Sequence, residues 1–321
     1  MSGSEGAGAC ACAASRVARV ALLFALAAGC SRPTPPEARE STTAAPARRI
    51  AVMAPAAAET LELLGAADRI VAVGDFVEVP GRGPLPRLGA YDLPNAERLV
   101  ELRVDLLLTA ASEAGRGEHA RLAALGVRVA ALDSSTFAGA LDAIREIGER
   151  TGRESAARAV LVEIESRVAE VRRRVAGAPR PRVLIAVGHD PLFVAGPGSH
   201  LDELIAIAGG ENVAHDALGA YQQASLEALL ERRPEVIVDS ADNRNAGPFG
   251  AVLGTWSAFP FLPAVAEGRV YSIEPSRLLV PGPRLGEMAE RMGRLVHPEI
   301  FGEPRADDFH PSPEGRGEGS P

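Results

Sequence analysis

Two pairs of acidic residues recur in this chain at one spacing. Asp105 lies eight residues past Glu97, and Glu235 lies eight residues past Glu227. The surroundings repeat as well. Asn95 or Ser225 stands two places before the glutamate. An apolar pair follows it, Leu99-Val100 or Leu229-Leu230, and then a second glutamate, Glu101 or Glu231. Each copy runs on into an apolar strand, Val104-Asp105-Leu106-Leu107-Leu108 or Pro234-Glu235-Val236-Ile237-Val238. Asn95 and Ser225 are good helix N-caps. A carboxylate in the first turn then meets the positive end of the helix dipole, a gain of about 0.3–1 kcal/mol. For one copy, that gain suffices as a reason. Duplication implies two similar lobes. With Leu99-Val100 and Leu229-Leu230 turned inward, Glu97 and Glu227 point outward at matched positions. Two such carboxylates can pair with two arginines of a symmetric partner, setting register and encounter rate more than affinity.

Other residue types with chemical potential sit in loops. His189 and Asp190 lie in Gly188-His189-Asp190-Pro191, and Asp239-Ser240 ends a later apolar run. His189 is either a metal or haem ligand or a hydrogen-bonded loop residue. The six histidines show no zinc spacing, and the chain offers no thiolate set. No nucleophile elbow, P-loop or dinucleotide fingerprint is present. The sequence contains no lysine, which excludes the lysine-dependent P-loop and Schiff-base chemistries. Gly196-Pro197-Gly198-Ser199 reads as a loop closing onto a helix N-cap. Aromatics are only 4 % of the chain, so those in loops count as candidate platforms for a flat ligand: Phe76, Tyr91, Tyr221 and Trp256. Packing on its own lobe is the alternative for each.

The elements that must position these residues alternate strand and helix. Apolar strands are expected at 50–53, 70–73, 104–109 and 127–132, with helices at about 57–64 and up to Gly126. A second series has strands at 183–187, 236–240 and 269–273, with helices at about 200–208 and 285–297. Short continuous apolar strands separated by helices predict parallel sheets covered on both faces. Arg153–Ala176 contains neither Gly nor Pro and carries Val160, Ile164, Val168, Val171 and Val175 at helical spacing. It predicts one stiff helix of about 36 Å joining two lobes, which permits only a small closure. In open α/β lobes ligands bind beyond the carboxyl ends of the strands. That places Ala54-Pro55-Ala56, Asp75-Phe76, His189-Asp190 and Asp239-Ser240 around a cleft. The fold class is therefore α/β, with two Rossmann-like lobes joined by one long helix.

The ends read differently. Arg16 and Arg19 precede the apolar run Val20–Leu26, then Ala27-Ala28-Gly29 and Cys30. This is the order of a secretory signal, too short to span a bilayer. Cleavage would leave Cys30 as the sole cysteine, either lipidated at the new N-terminus or following an ordinary signal. Leu26 lies one place further from Cys30 than in the usual lipoprotein pattern. A lipid on Cys30 would remove an unpaired thiol and anchor the chain to a membrane surface. Net charge is −8, which disfavours nucleic acid as a partner. The expected organisation is a signal at 1–29, a tether at 30–48, an N-terminal lobe at 49–152 and a connecting helix at 153–178. A C-terminal lobe at 179–301 and a disordered tail at 302–321 complete it.

The chain resembles bacterial ABC-transporter substrate-binding proteins of the cobalamin, siderophore and haem class. The resemblance covers residues 49–298. It rests on Arg49-Ile50-Ala51-Val52-Met53-Ala54-Pro55 with Glu59, on Pro86-Arg87-Leu88-Gly89-Ala90-Tyr91, and on Asn95-Ala96-Glu97 with Asp105-Leu106-Leu107. Gly209-Gly210-Glu211-Asn212-Val213, Ser225-Leu226-Glu227 and Pro281-Gly282-Pro283-Arg284 complete it. The stretch 188–193 and the second glutamate helix are most similar to cobalamin-type members. The resemblance implies a shallow ligand cleft between two lobes and docking of Glu97 and Glu227 on a permease dimer. It puts Tyr91 at an aromatic or haem-ligating cleft position. Ala54 and Ala58 stand where hydroxyl residues are usual, and Val104 where proline is. The expected protein is a monomeric, non-enzymatic, lipid-anchored binding protein, periplasmic or on the cell surface. It carries a corrinoid to an importer and has no resident cofactor or metal. Its cleft residues are Pro55, Ala56, Phe76, Tyr91, His189, Asp190, Tyr221 and Trp256. An iron–siderophore or haem carrier is the rival of the same fold. An exported α/β enzyme using His189, Asp190 and Asp239 is the rival of another class, disfavoured because no activated nucleophile pair or metal set accompanies them.

Overall fold

A computed structural model describes residues 45–90, 94–112, 115–189, 191–240 and 256–305. The first lobe contains β1 (Ile50–Val52), α1 (Pro55–Leu63), β2 (Ile70–Val73), α2 (Ala96–Glu101), β3 (Leu106–Ala110), α3 (Arg116–Ala124), β4 (Arg128–Leu132) and α4 (Phe137–Thr151). Its sheet is wholly parallel, in the order β2-β1-β3-β4. Alternate residues supply two cores, as the period of two in a strand requires. Ile50, Val52, Ile70, Leu106 and Leu108 face α1 and α4, while Ala51, Met53, Ala72 and Leu107 face Leu99 of α2 and Leu122 of α3.

Helix α5 (Glu154–Arg174) follows. Its 21 residues span about 32 Å, a turn shorter than the sequence suggests, because Arg153 serves as N-cap and Val175 as C-cap. Leu161, Ile164, Val168 and Val171 bury one face of it. The second lobe has β5 (Arg182–His189), β6 (Leu192–Ala195), α6 (His200–Ile207), β7 (Glu211–Asn212), β8 (Tyr221–Gln223), α7 (Leu226–Glu231), β9 (Val236–Asp239), β10 (Val270–Ser272) and α8 (Leu285–Val296). Its strand order is β10-β9-β5-β6-β8, with β7 on the first residues of β5.

This second sheet is mixed, where the sequence predicts a parallel one. β6 runs antiparallel to both β5 and β8, because the β5–β6 connection is two residues long and a parallel crossover needs a dozen or more. Helix α4 is also absent from the sequence expectation. Thr136 caps it by accepting the Gly139 N–H at 3.0 Å, and Gly152, at φ 65°, closes it. Its buried Phe137, Ala140, Ile144 and Ile147 belong to the same continuous core as α5, α6, α8 and the inner strand faces of both lobes. A Cβ on Gly286 of α8 would come within 3.2 Å of the Ile164 backbone, so α8 and α5 approach closely there. α5 is therefore a packed core element rather than a free strut.

The repeated sequence folds into a repeated structure. Asp105 accepts the backbone N–H groups of Arg48 at 2.9 Å and Arg49 at 3.2 Å, and Arg49 Nε donates to the Leu102 carbonyl at 2.8 Å. In the second lobe Glu235 accepts the Arg182 N–H at 2.9 Å, and Arg182 Nε donates to the Arg233 carbonyl at 3.1 Å. Arg103 and Arg233, at φ 48° and 50°, make the same left-handed turn ahead of each acid. Each acid so fixes the end of its glutamate helix against the first strand of its lobe. Replacing Asp105 or Glu235 by Ala leaves those N–H groups without their charged acceptor. Each change is expected to lower stability by about 1–3 kcal/mol in urea unfolding. Asp105→Asn, which keeps an acceptor, should cost less.

Candidate functional site

Both repeated glutamates are exposed. Asn95 Oδ1 accepts the Arg98 N–H at 2.9 Å and Ser225 Oγ accepts the Ala228 N–H at 3.4 Å, so each glutamate sits in a capped first turn. Leu99 and Leu229 anchor the helices inward. Val100 does not: it is 49 % exposed, a correction to the inward apolar pair, and Leu230 is only half-buried. A six-residue helix on a sheet buries one narrow stripe, which a single leucine fills. The Ser225 hydroxyl donates to Glu227 Oε2 at 2.7 Å and holds that carboxyl below its ordinary range.

The cleft lies where the carboxyl-end loops of the two sheets meet. The His200 N–H, at the start of α6, donates to the Ser135 carbonyl beyond β4 at 3.1 Å. The Phe137 N–H donates to Glu203 Oε1 at 3.0 Å. Arg284 pairs with Glu59 at 2.5 Å, joining α8 to α1. Gly282 packs on Ala56, where an added Cβ would approach to 3.2 Å. These contacts close the floor. Pro55 is exposed, whereas Ala56 lines a small apolar pocket with Ala54, Thr60, Ser134, Pro281 and Gly282. Ala56 is thus in contact with the opposite lobe.

The aromatic and polar candidates are distributed over the two lobes. Phe76, after β2, is 64 % exposed on the first lobe. Phe193, which pairs with Gly188 across the β5–β6 hairpin, is 38 % exposed on the second. The sequence reading passed over Phe193 as a site residue. Period-two alternation puts it on the opposite face of β6 from the buried Val194. Tyr221, the first residue of β8, is partly exposed, and its hydroxyl meets His200 Nδ1 at 3.2 Å. Burial pushes the Tyr221 phenol up to about 12 and pushes the His200 imidazole below its ordinary 6.5. Tyr91, Asp190 and Cys30 lie outside the described residues.

His189 and Trp256 share one acceptor. His189 Nε2 lies 2.8 Å from Asp239 Oδ2, and Trp256 Nε1 donates to the same oxygen at 2.7 Å. Asp239 is fully buried at the carboxyl end of β9. Trp256 is 1 % exposed and packs with Leu184, Ile237 and Leu262. It is a core residue, which corrects the expectation of a ligand platform: its indole N–H needs a buried partner, and Asp239 supplies one. The His189 side chain stays 21 % exposed. Among the described residues no group of three or more His, Cys, Asp or Glu could hold a free metal ion.

His200 yields a pH dependence with a definite sign. Its folded pKa is below 6.5, so the unfolded chain binds its proton first and stability falls as pH drops from about 6.5 toward the folded value. Above 6.5 the contribution is fully present. Urea midpoints at pH 7.5, 6.5 and 5.5 should decline in the wild type and decline less in His200→Gln.

Residues 50–276 match the family model described as periplasmic binding protein. The chain is 30 % identical over 281 residues to the cobalamin-binding protein of Halobacterium salinarum, covering 84 % of this chain and 75 % of that one. It superposes on the crystal structure of the periplasmic vitamin B12-binding protein BtuF of Vibrio cholerae with a TM-score of 0.66 at 26 % identity, covering 78 % of this chain and 97 % of that one. For the periplasmic haem-binding protein HutB of Vibrio cholerae the TM-score is 0.68 at 25 % identity, with 78 % and 100 % covered. With its two α/β lobes, its cleft floor bridged by Glu59–Arg284 and a family match over most of its length, the chain belongs to the periplasmic binding proteins, the extracytoplasmic substrate-binding class of ABC importers.

Proposed function

We propose that this chain captures a corrinoid of the cobalamin type between its lobes and delivers it to a membrane permease. The observation that carries the reading is a pair of exposed phenylalanines, Phe76 on the first lobe and Phe193 on the second, in a molecule whose lobes are joined by the Phe137–Glu203 and Arg284–Glu59 bonds. As the proposed cleft walls, these flat faces suit a broad macrocycle, and Tyr221 and His189 are proposed to meet its polar periphery. Similarity to a cobalamin-binding and a vitamin B12-binding protein supports the same ligand class. Tyr91 and Asp190 complete the proposed cleft. Glu97 and Glu227 are the proposed docking points: they are exposed and sit at equivalent places in the two lobes. Cys30 is the proposed lipid attachment, which would hold the protein beside its permease. The proposed carrier works as a monomer, without a resident cofactor.

A second reading, haem in the same cleft, is favoured by His189. An imidazole whose one nitrogen is held by a buried carboxylate presents the other in a fixed direction, the arrangement metal-ligating histidines use. Equilibrium dialysis with cyanocobalamin, haem and a ferric siderophore separates the readings. Saturable cyanocobalamin binding is expected, weakened about tenfold by Phe76→Ala or Phe193→Ala. Binding of haem alone, with a Soret band lost in His189→Ala, would replace the corrinoid. Charge reversal at Glu97 and Glu227 together should leave ligand affinity unchanged and abolish uptake. Lost affinity with intact uptake would remove the docking role.

A further inference from the structure

We infer that His200 fixes the hydroxyl proton of Tyr221 inward, so that the phenol meets the bound ligand as a hydrogen-bond acceptor and selects ligands carrying N–H groups. The inference rests on the reading of Tyr221 as a cleft residue and sharpens the ligand class.

The argument begins with the ring of His200. It is buried, 2 % exposed, at the first turn of α6. Nε2 lies 3.0 Å from the Leu278 carbonyl and Nδ1 lies 3.2 Å from the Tyr221 hydroxyl. A carbonyl only accepts, so Nε2 carries the hydrogen. Burial favours the neutral ring, and a neutral imidazole has one N–H. Nδ1 therefore has only a lone pair, and the Tyr221 O–H must donate to it. Glu203, one turn along α6, is occupied by the Phe137 N–H of the other lobe. The Ser135 carbonyl takes the His200 backbone N–H. Those bonds hold the helix start in place, and burial and the Leu278 bond hold the ring on the phenol.

With its hydrogen committed, the Tyr221 oxygen has only lone pairs for the cleft. It accepts from an amide N–H and is repelled by a carboxylate, which has nothing to donate. Corrinoids bear peripheral carboxamides, whereas haem bears carboxylates at neutral pH. The pair His200–Tyr221 so discriminates between the two macrocycles independently of their metals. His200 is a positioning residue here: it acts on the ligand only through Tyr221.

Two measurements decide this. The ligand-free protein labelled with 15N-histidine, with the His200 signal assigned by its loss in His200→Gln, should show Nε2 protonated and Nδ1 bare at pH 7. A protonated Nδ1 overturns the inference whatever the ligand. The second is the ratio of affinities for cyanocobalamin and for a corrinoid whose amides are hydrolysed to carboxylates. The ratio should favour the amide in the wild type and fall about tenfold in His200→Phe, where the Tyr221 hydroxyl is free to donate. It should also fall in Tyr221→Phe, and no further in the double variant. His200→Leu replaces His200→Phe if the larger apolar ring prevents folding. An unchanged ratio in a folded variant overturns the inference. If the wild type binds neither corrinoid, the corrinoid reading above fails, while the nitrogen spectrum still decides where the proton lies.

Discussion

A carboxylate that accepts the backbone N–H of the first strand of its lobe is the constraint on which both halves are built. Asp105 does this for the strand entered at Arg49, and Glu235 for the strand entered at Arg182. The bond joins three things at once: the start of a central strand, the start of its parallel neighbour and the turn that ends a short helix. Six-residue helices have too few internal hydrogen bonds to hold themselves. α2 and α7 persist because a cap fixes one end, a buried leucine fixes the middle, and the acid with its arginine fixes the other end. The exposed glutamate of each helix inherits a defined position from that arrangement.

The two lobes are coupled by more than the helix between them. One continuous apolar core runs from the first sheet through α4, α5 and α8 to the second. Polar bonds across the cleft floor add to it, from Phe137 to Glu203, from His200 to Ser135 and from Arg284 to Glu59. A joint of this kind resists wide opening, because separation would expose apolar surface and strand partly buried charges without partners. A shallow cleft with a rigid floor suits a large, stiff ligand that needs little closure. In the proposed function, selectivity comes from the aromatic faces of Phe76 and Phe193 and from the polar groups beside them.

The buried polar groups of the second lobe share one logic. Asp239 takes the N–H of Trp256 and one nitrogen of His189, and the Leu278 carbonyl takes one nitrogen of His200. In each case a buried acceptor settles one nitrogen of the ring, and at His200 the other nitrogen takes the Tyr221 hydroxyl. The same atoms that satisfy the core thereby set the polarity of the site.

Much of this was legible in the sequence. The duplicated Asn/Ser–Glu–Leu pattern with its following acid gave both glutamate helices and their strands, because capping and apolar periodicity act over a few residues. The long helix announced itself by twenty-odd residues without Gly or Pro. Helix α4 escaped notice because its apolar residues are interspersed with Ala and Gly, and its partner α5 decides which face is inside. The antiparallel hairpin escaped because strand direction depends on connection length rather than on apolar runs. Trp256 looked like a loop aromatic. Only the fold brings Asp239 beneath it, 17 residues away in the chain, and makes it core. The sequence by itself determined the local elements, their repetition and the outward direction of Glu97 and Glu227, since these follow from short-range capping and burial. Tertiary structure alone decided which loops meet between the lobes and which partners the ring nitrogens take. Those depend on partners as distant as Glu59 and Arg284, 225 residues apart, which no local pattern encodes.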